Sequence, residues 1–510
     1  MSIRDNELLI SYLVQLELLE RAFNTGSVVD YVRGFKIFNH NALDLFFKDV
    51  ELPPLSQRVS VKDVELDEHQ NKALNSSLDL NDNELLLIIG PPGTGKTRVI
   101  SKIAEALSSR GEKVLVTSHT NRAVDNVIEL LGKRIPNDIV RVGMVEKVSK
   151  EVRPFLLTPQ VRERARDILS KIELKIEKLL DEISRGNTSP LVYEKLSEEL
   201  EKRNALISKI SEEVLKDVKV VGSTLIKSQL APLTNISFDT VIIDEASQAS
   251  ITLALLGMVK GRKWVVVGDH NQLPPILKSI NDDDEVAKYS SFITLIEKYK
   301  HRSLWLRKHY RSNVKIINFV AKHVYNNEIV PDSRCFNLSL HIKSDFPLLD
   351  PLKQVVFVHV NGREVKVTEN KVSKSLYNEM EIKAIKEIVP WLRGVEVGII
   401  SPYRAQRNRL VEELSDYDVE INTVDAFQGR EKDVIIFSVT ATTNDLKFAT
   451  NKRRLNVAFT RARYKLIVLG NENSIRNLPN DNLLRNYVEY AYANNSVWAY
   501  EGGGFVPKNL

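Results

Sequence analysis

The most constraining feature of this chain is the glycine-rich run GPPGTGKT at residues 90–97. It fills the pattern G-x-x-x-x-G-K-T, follows the apolar run Leu85–Ile89 and precedes the helix-like stretch Arg98–Leu107. A strand, such a loop and a helix form the setting of a phosphate-binding loop, whose backbone N–H groups approach a triphosphate. The sequence therefore predicts an α/β domain that binds a nucleoside triphosphate.

Residues within this loop have separable roles. Gly93, Thr94 and Gly95 are expected to bring the backbone close to the phosphates. Lys96 is expected to reach the β- and γ-phosphates, and Thr97 is expected to ligate Mg²⁺. The loop thus accounts for the binding of the phosphates but not for their hydrolysis.

Two further apolar runs end in polar residues suited to hydrolysis. The run FDTVIIDEASQ ends in Asp244, which can hold Mg²⁺, and Glu245, which can orient and deprotonate water. The run VVVGDHNQLPP contains Gln272, whose amide could contact the γ-phosphate or the attacking water. Alternatively, the end of that run is simply a rigid exit from a strand.

The composition excludes several classes of protein. The 510 residues are 43% hydrophobic, and 72 Lys and Arg against 67 Asp and Glu give a net charge of +5, compatible with a nucleic-acid partner. The single cysteine, Cys335, permits no internal disulfide and no cysteine-based metal cage. With no apolar stretch of membrane-spanning length and no signal-peptide pattern, we expect a soluble cytoplasmic protein without a membrane partner.

Short β-branched runs alternate with helix-like stretches along the chain. The predicted strands are Leu85–Ile89, Val114–Val116, Val241–Ile243, Trp264–Val267, Val355–Val360, Val395–Ile400, Val434–Val439 and Leu466–Leu469. Strands that are apolar on both faces and separated by helices indicate parallel sheets. Their number favours two sheets rather than one.

Two regions differ from this pattern. Between residues 152 and 216, apolar residues recur at steps of three and four on both sides of a Gly-Asn-Thr-Ser-Pro turn, which predicts a helical hairpin inserted in the first domain. Its charged faces indicate solvation, or alternatively contact with nucleic acid or a protein partner. Residues 1–65 predict a small helical accessory unit or, alternatively, a cap over the first sheet.

The order of the motifs resembles the superfamily 1 helicases, specifically the Upf-like branch called superfamily 1B. The resemblance covers roughly residues 66–475 and rests on GPPGTGKT, DEASQ, GDHNQLPP, YRS, SPYRAQ, TVDAFQGREKDV and RRLNVAFTRAR. It implies two tandem RecA-like domains that hydrolyse ATP with Mg²⁺ between them and hold single-stranded nucleic acid across their tops.

The resemblance also implies the domain boundaries. They are an N-terminal helical region at 1–65, a first RecA-like domain at 66–276 with its hairpin at 152–216, a second RecA-like domain at 277–480, and a C-terminal helix with a flexible tail at 481–510. The small β-barrel that usually precedes the first domain is expected to be missing or reduced.

Further nucleotide contacts follow from the resemblance. Gln70 lies where that family reads adenine, and Tyr310 matches the position that stacks on the base. Arg311 and Arg461 match two arginines that neutralise charge on the γ-phosphate. Positions near the γ-phosphate and the ribose are matched by Gly429 and Glu431. His309 stands where the family commonly has glutamine.

Contacts to a nucleic-acid strand are likewise implied, through hydroxyls, amides and backbone N–H groups that hold phosphates without reading sequence. The matching positions are Ser118, Thr120, Asn121, Thr224, Pro402, Tyr403, Thr423 and Asp425. Each could instead be an ordinary helix cap or turn residue.

Three functions remain distinct at this point. The first is an ATP-dependent helicase or translocase that moves 5′ to 3′ on single-stranded DNA or RNA as a monomer. The second is a nucleic-acid-stimulated ATPase clamp that remodels nucleoprotein without processive unwinding, which a reduced barrel favours. The third, a signalling ATPase without nucleic acid, is disfavoured by the motifs after Tyr310.

Overall fold

The computed structural model describes residues 3–23, 32, 34–277, 280, 283–342, 344–369, 373–427, 429–443 and 446–509. The chain forms two units. The first contains Met1–Ile89, Lys96–Gly268 and Pro274–Leu304, and the second contains Gly90–Gly95, Asp269–Leu273 and Trp305–Leu510. No helix in the described part of the chain is long and apolar enough to cross a bilayer.

The first unit is built on a seven-stranded sheet in the order β3-β4-β2-β5-β6-β1-β7. Its strands are β1 (Leu85–Ile89), β2 (Val114–Ser118), β3 (Ile139–Arg141), β4 (Val220–Thr224), β5 (Phe238–Asp244), β6 (Gly261–Gly268) and β7 (Ser303–Trp305). Its helices are α1 (Ile3–Phe23), α2 (Asn41–Phe47), α3 (Glu68–Leu78), α4 (Lys96–Ser109), α5 (Asn121–Gly132), α6 (Leu157–Arg164), α7 (Arg166–Ser184), α8 (Pro190–Asp217), α9 (Ile251–Met258), α10 (Asp283–Ala287) and α11 (Ser291–Lys298).

The central strands of this sheet are parallel and buried, as apolar runs separated by helices predict. Strands β1, β5 and β6 pair in parallel, and so do β2, β3, β4 and β5. All five residues of β1 and of β2 are buried. Because the strands run in one direction, the polar residues that follow them meet at one edge of the sheet.

The N-terminal region packs against helices of the first unit. Helices α1 and α2 both contact α9. The Thr252 hydroxyl donates to Gln15 Oε1 (2.5 Å), and the Tyr299 hydroxyl donates to the Leu45 carbonyl (3.0 Å). Among the described residues of this region there is no strand. The first unit therefore includes these helices in its packing.

Helices α7 and α8 pack against each other and follow the small helix α6. The ends of the 152–216 range are part of the core, because Val152, Val214 and Leu215 are fully buried. Lys113 Nζ also donates to the Leu215 carbonyl at the base of α8. The two long helices are therefore the exposed part of this range, and its two ends anchor it to the sheet.

The second unit is built on another seven-stranded sheet, in the order β14-β13-β15-β16-β10-β17-β18. The strands after β7 are β8 (Lys308–His309), β9 (Val330–Pro331), β10 (Val355–Val360), β11 (Val365–Glu369), β12 (Ser373–Tyr377), β13 (Val397–Ser401), β14 (Val419–Thr423), β15 (Lys432–Ser438), β16 (Ala462–Gly470), β17 (Val497–Tyr500) and β18 (Phe505–Pro507). The helices are α12 (Val314–His323), α13 (Glu379–Ile388), α14 (Arg404–Glu413), α15 (Val424–Phe427), α16 (Leu446–Ala449), α17 (Lys452–Phe459), α18 (Glu472–Arg476) and α19 (Leu483–Ala493).

The second sheet has an apolar core on each face. Val355 and Phe357 belong to one core, whereas Val356 and Val358 belong to the other, as the alternation of side chains along a strand requires. Strands β10, β13, β14, β15, β16 and β17 pair in parallel. The fold is therefore α/β with two tandem parallel-sheet domains, as the sequence predicts.

The C-terminal segment differs from the prediction of a flexible tail. Phe505–Pro507 forms strand β18, which pairs antiparallel with β17. Gly502 and Gly503 adopt positive φ angles of 60° and 130° in the connecting turn, conformations that glycine adopts without strain. The three-glycine run is therefore the turn of a hairpin at the edge of the sheet.

Candidate active site and nucleic-acid interface

The carboxyl edge of the first sheet brings three predicted residues into neighbouring positions. Ser118, the last residue of β2, is paired in register with Asp244 on one side and with Thr224 on the other. A predicted catalytic carboxylate and two predicted strand contacts therefore lie side by side. This edge is where ligands of parallel α/β sheets bind.

Asp244 has the most strongly perturbed acidity at this edge. Complete burial and the nearby charge of Glu245 raise its pKa from 3.8 to about 7. Lys96 and the Glu245 N–H, which donates to Asp244 Oδ1 (2.8 Å), act in the opposite direction. A buried carboxyl with converging charges of both signs is typical of a catalytic or cation-binding position.

Glu245 lies in a strained backbone conformation. Its φ and ψ angles of 53° and 37° are left-handed, and it begins the short helical turn Ala246–Gln248. This conformation is unfavourable for a residue with a Cβ atom and is often found at functional sites. The strained turn directs the chain away from the strand immediately after the two carboxylates.

Helix α4 and helix α3 provide the other predicted nucleotide contacts of the first unit. Lys96 and Thr97 are the first two residues of α4, and both are half-buried. Gln70 forms a capping box with Asp67, in which the Gln70 side chain accepts from the Asp67 N–H (3.1 Å). This bond orients the buried amide at the beginning of α3.

The loop residues Gly90–Gly95 cluster with the second unit. Gly93 and Gly95 have φ angles of 74° and 82°. A Cβ atom on Gly93 would lie 2.4 Å from His309 Cε1, so a larger residue does not fit there. The Gly93 carbonyl accepts from the Tyr310 N–H (2.8 Å), and His309 Nδ1 donates to the Pro92 carbonyl (2.7 Å).

His309, which replaces the common glutamine, is held as a neutral imidazole. Burial and the charge of Arg311 lower its pKa to about 3. Because the Ser312 N–H donates to Nε2 (2.8 Å), Nδ1 carries the proton. The neutral ring therefore provides one donor and one acceptor, as the amide of glutamine would.

Gln272 lies in a buried polar network of the second unit. Its Nε2 donates to Asp269 Oδ2 (2.8 Å), and its Oε1 accepts from Arg461 Nη2 (3.4 Å). Tyr325 also donates to Asp269 Oδ2 (2.6 Å) and accepts from Asn456 Nδ2 (2.8 Å). Gln272 and Arg461 are thus hydrogen-bonded to each other. Sequence reasoning missed the other three members of this network, although Asp269 and Asn456 occur within the motifs.

Arg311 and Glu431 form an ion pair, with 2.9 Å between Nε and Oε2. Tyr310 is half-buried, and the guanidinium carbon of Arg334 lies 4.7 Å from the centre of its ring. Gly429 is exposed, with a φ angle of 77°. The four of these residues that are predicted around the nucleotide are therefore all exposed or half-buried in this unit.

The predicted strand contacts of the first unit have local structural partners. Thr120 caps α5 by accepting from the Ala123 N–H (3.3 Å), and Asn121 Oδ1 accepts from Arg141 Nη2 (2.8 Å). Ser118 is fully buried, and Thr224 Oγ1 accepts from the Lys227 N–H (3.4 Å). These bonds include the helix cap that the sequence left open as an alternative for such residues.

The predicted strand contacts of the second unit lie at the ends of two strands. Pro402 and Tyr403 follow β13, and Thr423 is the last residue of β14, in register with Ser401. Tyr403 is only 8% exposed, so its ring offers little surface to a base. Asp425 accepts from Arg454 Nη1 (2.9 Å).

His119 is a further residue that sequence reasoning missed. It lies between two predicted strand contacts in sequence, and its pKa is lowered by burial while Glu245 and a hydrogen bond to Gln248 oppose that shift. The half-buried His119 imidazole, next to the expected base, links the strand-contact segment to the expected catalytic edge. A single histidine inside a polar motif carries no signal of such burial.

The oxygen atoms of Asp244 and Thr97 are of the kind that binds Mg²⁺. No cluster of three or more His, Cys, Asp or Glu side chains within the described residues could hold a metal by protein groups alone. Mg²⁺ is commonly held by one or two protein oxygens together with substrate phosphates and water. The Asp244 carboxylate and the Thr97 hydroxyl are oxygens of that kind, and a cation would offset the burial of Asp244.

The fold and these residues define a P-loop nucleoside triphosphatase, and comparisons with known proteins narrow the class. Two family models described as AAA domains match residues 65–280 and 287–473. The chain is 33% identical over 480 residues to an uncharacterized ATP-dependent helicase of Methanocaldococcus jannaschii, covering 83% of this chain and 70% of the relative.

Another curated protein and a solved structure also resemble this chain. The DNA polymerase alpha-associated DNA helicase A of Saccharomyces cerevisiae is 30% identical over 483 residues, covering 85% of this chain and 68% of that protein. The solved arterivirus nonstructural protein 10 helicase with DNA is 15% identical with a TM-score of 0.38, covering 78% of this chain and 62% of that one. The chain belongs to the Upf-like branch of the superfamily 1 helicases and is an ATP hydrolase of the helicase class.

Proposed function

We propose that the chain moves 5′ to 3′ along single-stranded nucleic acid and uses Mg²⁺-ATP hydrolysis to drive each step. The observation that carries this proposal is the register at the first sheet's carboxyl edge, where Ser118 pairs with both Asp244 and Thr224. A nucleic-acid strand bound at this edge would lie only one β-strand spacing, about 5 Å, from the expected catalytic carboxylates and could therefore influence them. The direction of movement rests on the family resemblance.

The chemistry is assigned residue by residue. Lys96 neutralises the β- and γ-phosphates, and Asp244 with Thr97 would hold Mg²⁺, which would supply further shielding of the phosphate charge. Glu245 orients and deprotonates the attacking water, and Gln272 contacts the γ-phosphate or that water. Arg311 and Arg461 neutralise charge that develops on the transferred group.

Base and ribose contacts complete the nucleotide site. Gln70, oriented by its capping box, contacts adenine, and Tyr310 stacks on the base. Gly429 and Glu431 lie near the γ-phosphate and the ribose. Ion pairing of Glu431 with Arg311 holds that arginine in place until the phosphate competes for it.

The second candidate function is an ATPase clamp that remodels nucleoprotein without processive unwinding. It is favoured by the N-terminal region, whose described residues form helices that pack on the first unit. We propose that the chain acts as a monomer in either case. The exposed part of α7 and α8 would be the surface for a protein partner.

One experiment separates these functions. ATPase activity is titrated with matched single-stranded DNA and RNA, and duplexes with 5′ or 3′ overhangs are tested for displacement. Stimulation with displacement only from 5′ overhangs supports the translocase. Stimulation without displacement supports the clamp, and equal displacement from 3′ overhangs contradicts the direction. Without stimulation by either nucleic acid, the proposal fails.

Binding should also depend on salt. Contacts to phosphates release counterions, so log affinity for a single strand falls with log salt by roughly 0.7 per phosphate contacted. ATP should change that affinity if nucleotide and strand binding are coupled. A salt-independent affinity would indicate that phosphates are not the main contact.

A further inference from the structure

An aromatic side chain of the second unit is exposed where strand contacts are expected. Phe448, in helix α16, is 43% exposed, whereas Tyr403 is 8% exposed. The two rings lie 5.6 Å apart at an interplanar angle of 51°. The aromatic surface available at this position therefore belongs to Phe448, and Tyr403 supports it from within the core.

The orientation of the Phe448 ring is fixed by a charged side chain. The guanidinium carbon of Arg454 lies 4.4 Å from the ring centroid, a cation–π distance. Arg454 is itself mostly buried and donates to Asp425 Oδ2 (2.9 Å). The pair covers one side of the ring and restricts its rotation, which reduces the entropy that a stacking ligand must remove.

The position in the fold indicates what would meet the exposed side of the ring. Tyr403 lies two residues beyond the end of β13, and Asp425 lies two residues beyond the end of β14. Ser401 and Thr423 at these strand ends are paired in register. The cluster therefore lies at the carboxyl edge of the second sheet, where α/β folds bind their ligands.

The charges around this cluster suit a polyanion. Lys447, next to Phe448, and Arg404, next to Tyr403, are both exposed. A fixed ring beside exposed cations is the combination with which single-strand-binding proteins hold bases and phosphates. The Asp425 carboxylate would repel a phosphate. Its ion pair with Arg454 is therefore more favourable than a direct contact with the nucleic-acid backbone.

We propose that Phe448 stacks on one base of a bound single strand, with Arg454 and Asp425 as positioning residues. This inference rests on the proposed function, since it requires a strand at the second sheet's edge. Every base has a π face, so the contact would be tolerant of sequence. The exposed Phe448, and not the buried Tyr403, is then the stacking surface, and Asp425 has a role that needs no contact with phosphate.

The test compares Phe448→Leu with the wild type on two probes, an oligothymidylate and a strand of the same length with abasic sites. Leucine retains apolar volume but removes the ring. We expect affinity for the oligothymidylate to fall by roughly 5- to 150-fold, the range that one stacked base contributes, with little change on the abasic strand. Phe448→Trp should retain the wild-type difference between the probes.

The matched control is Trp391→Ala. Trp391 is 49% exposed and stacks on Phe346 with ring centroids 5.2 Å apart, and it precedes the beginning of β13 rather than following its end. Trp391→Ala should leave the affinity for both probes unchanged. This result would exclude the possibility that removing any exposed aromatic side chain of the second unit weakens strand binding.

The outcomes distinguish the two levels of proposal. If Phe448→Leu loses the same affinity for both probes, or loses none, the stacking role is overturned. As long as the wild-type protein binds the probes, the proposed function is not affected by that result. If wild-type protein binds neither probe, the proposed function itself fails, and the stacking role fails with it. Should Phe448→Leu fold poorly by circular dichroism, Phe448→Trp decides instead. It keeps an aromatic face, so its affinity for the oligothymidylate must stay at or above the wild-type value with no change on the abasic strand. An equal change on both probes overturns the stacking role.

Discussion

The carboxyl edges of the two sheets each contain a buried carboxyl group with a raised pKa, but for different reasons. Asp244, at about 7, is raised by burial and by the charge of Glu245, and Lys96 opposes the shift. The pKa of Glu381, at about 8, is raised chiefly by burial and to a lesser extent by the charge of Glu364, and the Ser438 hydroxyl and the Thr440 N–H oppose the shift. Opposed charges surround the first group, whereas neutral donors satisfy the second.

We expect this difference in surroundings to distinguish a reactive carboxyl group from a structural one. A carboxyl group that neutral donors satisfy gains nothing from a phosphate or a cation, and it stabilises the loops that provide the donors. A carboxyl group beside a lysine and a second carboxylate changes its charge when a ligand arrives. A raised pKa therefore indicates a catalytic site only where charged groups converge.

The largest expected effect tests whether the second unit contributes to hydrolysis through arginine and not through Glu381. Arg461→Ala should lower turnover by roughly 10³–10⁵-fold, the contribution of an arginine finger, while ATP still binds. Arg311→Ala should have a similar or smaller effect. Single-turnover hydrolysis and equilibrium ATP binding measure the two steps separately. A loss below about tenfold in folded Arg461→Ala would contradict its assignment.

The second largest effect is expected at Asp244 and Glu245, the two carboxylates at the carboxyl edge of the first sheet. Glu245→Gln should retain ATP binding and lose roughly 10²–10⁴-fold in turnover, because an amide cannot accept the proton of water. Lys96→Ala should abolish turnover as well, by removing the cation from the phosphates. Near wild-type turnover in Glu245→Gln would show that another group is the base.

A smaller effect is expected from shortening the helical hairpin of α7 and α8, which lies between β3 and β4 in the chain. Lys175 Nζ on α7 and Glu199 Oε1 on α8 lie 3.7 Å apart, so the two helices are neighbours at this level. A Gly-Ser linker that spans the distance between the two helices can replace residues 176–198 and keep the buried base. The shortened protein should keep its strand-free ATPase and change in strand affinity or displacement. An insoluble or inactive product would show that the hairpin is needed for folding.

The smallest effect concerns Glu381 and appears in stability rather than activity. Its pKa is raised from 4.5 to about 8, so the folded state holds the proton more tightly than the unfolded state. This contribution to stability is present below pH 4.5 and is lost as the pH rises toward 8, with a slope of at most about 1.4 kcal/mol per pH unit.

Glu381→Gln isolates that contribution. Its free energy of unfolding should fall less than that of the wild type between about pH 5 and pH 9, because all other groups titrate equally in both proteins. ATPase activity should stay close to the wild-type value. Parallel pH profiles for the two proteins, or a collapse of activity, would remove the distinction drawn between the two edges.

The sequence predicted the elements whose signal is local. Long apolar runs identified β1 and β10, and the phosphate loop followed from its own motif. Short or half-buried strands were missed, such as β3, with three residues, and β14, whose five residues are all half-buried. These strands contain little apolar pattern, and their pairing depends on neighbours that are distant in the chain.

The same limit applies to the candidate site. The motifs predicted Gln272 and Arg461 as site residues, but the hydrogen bond between them depends on how the second unit folds. Burial of Tyr403 against Phe448 also joins residues far apart in sequence. Residue type and spacing thus indicated the chemistry, whereas exposure and partner choice required the tertiary structure.

The left-handed backbone at Glu245 has an evolutionary consequence. A residue with a Cβ atom pays about 1–2 kcal/mol for this conformation, which glycine adopts freely and asparagine tolerates. Neither of those residues has a carboxylate. Selection for stability alone would therefore favour replacements that remove the side chain expected to activate water, and only continued selection for turnover would preserve glutamate at this position.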